Sequence, residues 1–122
     1  MAERIQNVKE LAEAARFRGM LARRRGDEAG AQGHLGRSLL LATRAGLRLE
    51  RAEALEQMAL LHHDAGRPDD AHAYLAEACG EYFAAGATRD CGRCRELLSA
   101  WSAPTEEPPP DAVPALRIVG AA

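Results

Sequence analysis

Over the first hundred positions apolar residues recur at steps of three, four or five, the spacing that lines one face of an α-helix. In the opening segment Ile5, Val8, Leu11, Ala12, Ala15 and Met20 predict one stripe. Arg23, Arg24 and Arg25 then place positive charge at the carbonyl end of that helix, and Gly26 stops it. A second helix is predicted from Asp27 to Ala45, with Ala31, Leu35, Leu39 and Ala42 on one face and Gly46 at its end. A third runs from Leu49 to Ala65 through Ala52, Leu55, Met58, Ala59 and His62, and Gly66 closes it. Arg67-Pro68-Asp69-Asp70 opens a fourth, since proline and acids suit a first helical turn. Its inner face is Ala71, Leu75, Ala78 and Tyr82, and it stops at Gly86. The fifth is predicted to take Thr88 as its N-cap and to carry Cys91, Cys94, Leu97, Leu98 and Trp101 on one stripe.

After Ser102 the pattern breaks. Ala103-Pro104-Thr105-Glu106-Glu107-Pro108-Pro109-Pro110 cannot continue a helix and predicts an extended or disordered linker. Beyond it lies a short apolar patch, Ala115-Leu116-Arg117-Ile118-Val119-Gly120, read as a frayed end or as a peptide that adds a strand to another chain. The expected organisation is therefore an all-α domain over residues 1–102, a stack of antiparallel helical hairpins, followed by a Pro-rich flexible tail over 103–122.

An internal repeat organises the helical part. Shifted by 40 residues, positions 10–46 fall on 50–86, and ten of the 37 are identical: Glu10/Glu50, Ala12/Ala52, Glu13/Glu53, Ala14/Ala54, Leu21/Leu61, Gly26/Gly66, Ala31/Ala71, Leu35/Leu75, Ala45/Ala85 and Gly46/Gly86. The matches fall on helix-ending glycines, small packing positions and core leucines. Two helices repeating with a period of 20–50 residues are the signature of a helical solenoid, in which each hairpin leaves an apolar face bare until the next covers it.

These residues resemble the tetratricopeptide repeat family. In the second unit Leu55, Met58, Ala59, Gly66, Ala71, Leu75 and Ala78 stand at the family's intervals, and in the first Gly19, Gly26, Ala31, Leu35 and Ser38 follow them more loosely. The aromatic usual near the turn is replaced by Ala22 and His62, and the terminal proline is missing. The longer period is similar to that of the helical sensor regions of bacterial transcription activators and signalling ATPases, as is the junction Tyr82-Phe83-Ala84-Ala85-Gly86-Ala87-Thr88-Arg89-Asp90. The resemblance implies a non-catalytic scaffold or adaptor that binds a protein or peptide partner in a groove lined by the first helix of each pair. Carried over position by position, it nominates Glu13, Arg16, Met20, Arg23 and Arg24 in the first unit. In the second it nominates Glu53, Glu56, Leu60, His63 and Asp64, with Arg93 and Glu96 on the last helix. An ordinary solvated surface is the alternative for each of them.

Composition fits a helical, globular chain. Alanine supplies 26 positions and leucine 15, against five for valine and isoleucine together, a mixture that favours helices over sheets. One lysine against fifteen arginines is the bias of a GC-rich bacterial genome. No apolar run approaches the roughly 20 residues of a membrane span, and the start is no secretory signal, so the expected place is the cytoplasm with no membrane partner. The net charge of −2 hides an asymmetry of +5 over residues 1–51 and −7 over 52–122. Because acids interleave the basic half, no nucleic-acid partner is expected. The polarity suits head-to-tail contact between copies, and a stack of only two and a half units predicts self-association or docking on a larger protein.

Little in the chain points to catalysis. Cys91-Gly92-Arg93-Cys94 is the sharpest local motif, since two cysteines in a helix's first turn serve redox or metal chemistry, and a redox- or metal-responsive sensor is the alternative function. The strand that precedes a thioredoxin-type site is missing from the pattern, and buried free thiols on the stripe of Leu97, Leu98 and Trp101 are the plainer reading. A zinc site would need Cys79 and a histidine such as His62, His63 or His72 to join them. Gly30, Gly33 and Gly36 lie in a helical pattern without the strand and lysine of a phosphate loop; they are read as close packing points or local weakness. Ser38, Ser99 and Ser102 have no histidine–acid set beside them. No enzyme activity, cofactor or metal is expected.

Overall fold

The computed structural model of the protein describes residues 2–102, which form five α-helices: α1 (Ala2–Arg24), α2 (Glu28–Ala45), α3 (Arg48–Asp64), α4 (Pro68–Ala84) and α5 (Thr88–Ser102). The described residues hold no strand, so the expected all-α class is the observed one. The tail expected over 103–122 lies outside the described residues.

One turn is used four times. Gly26, Gly46, Gly66 and Gly86, at intervals of 20 residues, are the only glycines with positive φ among those described, between 69° and 77°. This left-handed conformation lets the next amide reach back five residues and satisfy a helix-end carbonyl. The bonds are Asp27 N to Ala22 O, Leu47 N to Ala42 O, Arg67 N to His62 O and Ala87 N to Tyr82 O, each 2.9 Å. The following helix starts at once, because the residue after each glycine already accepts its first intrahelical bond. Only at Asp27 does a side chain also cap, accepting from Gly30 N at 2.9 Å. Thr88, expected as the fifth N-cap, is instead the first helical residue; the capping position falls to Ala87, whose carbonyl accepts from Cys91 N.

Connections this short force antiparallel neighbours. α1 pairs with α2 and α3 with α4, while α2 packs on α3, α4 on α5, and α1 also touches α3. Across the first hairpin the buried Ser38 hydroxyl donates to the Ala12 carbonyl oxygen at 2.7 Å. The 40-residue offset governs burial as well as sequence. Positions 12, 15, 19, 22, 31, 35, 38 and 42 are all buried, and so are 52, 55, 59, 62, 71, 75, 78 and 82. Most are small, so the helices approach closely: alanine at 12, 31, 42, 52, 59, 71 and 78 has no exposed surface. A Cβ on Gly19 would come within 2.5 Å of the Leu35 side chain, which makes that glycine a contact point between α1 and α2. Gly33 and Gly36 face open space and are weak points in α2 rather than packing points.

α3 buries more than α1 does at equivalent positions, since α2 covers it on one side and α5 approaches on the other. Glu50, Ala54, Glu56, Met58 and Leu61 are buried; their counterparts Glu10, Ala14, Arg16, Arg18 and Leu21 are not. Leu61 is 3% exposed and Leu21 51%. The single apolar stripe expected on α1 is corrected accordingly. Its buried face is Ala12, Ala15, Gly19 and Ala22, whereas Ile5, Leu11, Phe17 and Leu21 stay exposed because no helix precedes α1 among the described residues.

Candidate functional site

The odd-numbered helices α1, α3 and α5 bring most of the nominated side chains onto one face, and ion pairs join them. Lys9 Nζ lies 3.7 Å from Glu50 Oε2, Arg16 Nη2 3.6 Å from Glu53 Oε1, and Arg23 Nη1 2.5 Å from Asp64 Oδ2, so α1 and α3 are bridged along their whole overlap. Arg16 also donates to Met20 Sδ at 3.6 Å, and its guanidinium lies over the Phe17 ring.

Glu53 occupies the middle of this face. Partial burial raises its carboxyl above the usual carboxylate range; Arg16 opposes the rise, and the charges of Glu50, Glu13 and Asp90 add to it. Carboxylates from three helices thus gather around it, with Arg16 paired to Glu53, Lys9 to Glu50 and Arg93 to Asp90. A cationic group placed among them would add to the ion pair that Glu53 makes with Arg16.

Between α3 and α5 the contact is tighter. Glu56 is 7% exposed, so it is corrected from an open groove residue to a structural one. Its Oε1 accepts from the Tyr82 hydroxyl at 2.8 Å and from Arg93 Nη2 at 2.7 Å, and its Oε2 from Arg93 Nε at 3.0 Å. A buried carboxylate needs such partners, because desolvation without them costs several kcal/mol, on the order of 3–5. Burial and then the Glu56 bond push the Tyr82 phenol far up, while the bonds to Glu56 hold Arg93 firmly protonated. Arg93 Nη1 reaches on to Asp90 at 2.7 Å. Further along, His63 stacks on Trp101, their centroids 4.3 Å apart. Leu60 is half-buried, and Arg24 and Glu96 are exposed and outside these pairings.

Five residues of this arrangement escaped nomination: Lys9, Glu50, Asp90, Tyr82 and Trp101. A signal existed for two of them, since a second application of the 40-residue shift puts Asp90 in register with Glu10 and Glu50. Nothing in the spacing marks Tyr82 as the hydroxyl that reaches Glu56.

The thiols are arranged otherwise than the Cys91/Cys94 motif implies. Cys91 and Cys94 are both buried in the core formed by Ala52, Leu55, Ala59, Leu75, Ala78 and Tyr82. The thiol that faces Cys91 is Cys79 on α4, with the two sulphurs 3.4 Å apart. Burial, and then the negative charge of Glu56, pushes the Cys94 thiol up to about 12, which suppresses its thiolate at neutral pH. Two of the candidate histidines are engaged elsewhere: His62 Nδ1 accepts from Arg67 Nε at 2.8 Å and its ring stacks on Tyr74, as His63 does on Trp101, and His72 is exposed. Among the described residues, no three His, Cys, Asp or Glu side chains are placed to hold a metal ion together.

Open clefts of about 420 Å³ beside Phe83 and Arg95 and of about 310 Å³ between Ile5 and Leu41 lie away from the odd-helix face. A recess of about 150 Å³ beside the Arg23–Asp64 bridge borders the odd-helix face, and it is too small for a drug-sized ligand, whose sites span about 300–1,000 Å³. No helix among the described residues is long and apolar enough to cross a membrane. The chain matches no family model, no curated protein and no solved structure.

Proposed function

We propose that the chain is a non-catalytic protein–protein interaction module of the tetratricopeptide type, which takes a peptide or helix of a partner across the face of α1, α3 and α5. The observation that carries this reading is the placement of Glu53, a half-buried carboxylate raised above its usual range, with the carboxylates of Glu13, Glu50 and Asp90 around it and Arg16 paired to it at 3.6 Å. Natural folds tolerate such local cost where function uses it, and here the group that relieves it is a lysine or arginine side chain. The partner segment is therefore cationic at the point where it crosses α3. Its ends meet the Arg23–Asp64 bridge on one side and exposed Glu96 on the other. Self-association is a second use of the surface, through the exposed Phe17 and Leu21 of α1. The cytoplasm is the compartment this reading assigns.

Binding of a fluorescent library of short peptides, read by anisotropy, tests the reading. Peptides carrying Lys or Arg among apolar residues should be retained. Glu53→Gln should weaken the best of them about tenfold, the equivalent of about 1.4 kcal/mol. Uniform indifference to peptide charge, or equal affinity in the Glu53→Gln variant, overturns it.

A further inference from the structure

Two thiols from different helices meet where α4 hands over to α5. Cys79 stands in the last turns of α4 and Cys91 in the first turn of α5, on either side of the Gly86 turn, and their sulphurs are 3.4 Å apart. Cys79 Sγ also donates to the Cys91 carbonyl oxygen at 3.7 Å, so both the side chain and the backbone of the opposite helix confront it. A disulfide needs the sulphurs at about 2.05 Å, an approach of little more than one ångström that rotation about the side-chain bonds supplies. The site is reachable. Cys79 is half-buried rather than sealed, and Cys91 lines an open cleft of about 420 Å³ that Phe83 and Arg95 border. Cys91 is 4% exposed and Cys94 not at all, the short sulphur contact of Cys91 is with Cys79, and a bond between Cys91 and Cys94 would link two positions of one helix and fasten nothing.

We propose that Cys79 and Cys91 are a disulfide-forming pair whose oxidation clasps α5 to α4. The oxidant is a small two-electron acceptor of the peroxide class, entering by the cleft. The Cys91 thiolate attacks a peroxide oxygen; the S–O bond forms, the O–O bond breaks, and the departing hydroxide takes up a proton as water. The Cys79 thiolate then attacks the oxidised sulphur, the S–S bond forms, and the S–O bond breaks to release a second water. Overall the two thiols give up two protons and two electrons, and one hydrogen peroxide becomes two waters. Burial and the neighbouring Cys91 raise the Cys79 thiol while the Arg95 guanidinium beside it pulls the other way. What the clasp restrains is α5, the helix that carries Arg93 and Trp101 to α3. The inference does not depend on what binds the odd-helix face.

Peptide mapping of the full chain decides it. Trypsin cuts after Arg89, Arg93 and Arg95, which places Cys79, Cys91 and Cys94 on three separate peptides. After hydrogen peroxide treatment and digestion without reductant, the expected product is the peptide containing Cys79 joined to Asp90–Arg93, lighter by two hydrogens than the sum of the two. Cys94→Ser should retain it and Cys79→Ser should abolish it. The oxidised parent should melt about 10–20 °C above the reduced one, since closing a loop of this length is worth about 3 kcal/mol. A link between Cys91 and Cys94, links only between chains, or three thiols all oxidised singly would each overturn the proposal.

Discussion

The Glu56–Arg93 pair is the place where one substitution should tell most about how α5 is held. Replacing Arg93 with methionine keeps much of the side-chain volume and removes the charge, leaving Glu56 with the Tyr82 hydroxyl as its remaining bonded partner. Breaking a buried pair from one side costs about 3–5 kcal/mol, because the orphaned charge keeps its desolvation penalty. Here the Arg93 side chain is 44% exposed, so water reaches the vacated space and the expected loss is about 2 kcal/mol. Glu56→Gln in the same background should return about half of that loss, since a neutral amide tolerates burial and still accepts the Tyr82 bond. Urea unfolding followed by two signals measures this. Trp101 is the chain's one tryptophan and stacks on His63, so its fluorescence reports α5 on α3, while far-ultraviolet circular dichroism reports all five helices. A loss for Arg93→Met within about 0.5 kcal/mol of zero, or a double variant no more stable than the single one, would refute the role given to the pair.

Other expectations are as direct. At pH 7 Glu53→Gln should be as stable as the parent or more so, by up to about 1 kcal/mol. Because the folded-state pKa is raised, folding favours the protonated form, and the parent loses stability as pH rises through the carboxylate range; below about pH 4 the two proteins should converge, and urea titrations at two pH values check it. Leu61→Ala should cost about 2–5 kcal/mol while Leu21→Ala, its partner in the repeat, stays below about 1, a contrast read by thermal unfolding. Gly33→Ala, in an open helix interior, should gain about 1 kcal/mol, whereas alanine at Gly66 should lose about as much, since its φ of 77° disfavours any Cβ. Sedimentation velocity over a range of concentrations should show association that Phe17→Ser with Leu21→Ser reduces without lowering the unfolding midpoint; a parent that is monomeric throughout would count against α1 as a contact surface.

The helices and their ends were legible in the sequence because one device ends each of the first four, a glycine followed by an immediate restart, and glycine at a forced positive φ has no substitute of equal cost. The half-period of 20 residues, visible in Gly26, Gly46, Gly66 and Gly86, carries more than the 40-residue repeat alone, since it makes each helix and its turn one module. The buried face of α1 was misjudged for a physical reason. Periodicity weights large residues, but the inner positions are alanine and glycine, while Ile5, Leu11 and Phe17 are left exposed by the described helices. Glu56 illustrates the limit on the other side. A glutamate at a groove position reads as solvent-facing, and only its placement opposite Tyr82 and Arg93, 26 and 37 residues away, makes burial affordable. Cys79 escaped the cysteine motif for the same reason: spacing along one helix says nothing about a thiol on the next.

Small inner residues have a consequence for how this stack holds its shape. Alanine-to-alanine contacts allow close approach but remove little apolar area, at about 25 cal/mol for each Å², so they fix distances more than they fix register. Register must then come from directional contacts. Ser38 on Ala12 sets α2 against α1, Arg51 between Glu77 and Glu81 sets α3 against α4, and Arg93 on Glu56 sets α5 against α3. Among the odd helices the bridges from α1 to α3 are ion pairs with solvent at their edges, each worth about 1 kcal/mol or less. A segment that lies across α1, α3 and α5 would therefore add to the weakest set of contacts in the molecule. By linkage its binding should appear as raised stability, and the rise should be largest for exchange of α1 amides, because among the described residues α1 packs only on α2 and α3, at one side.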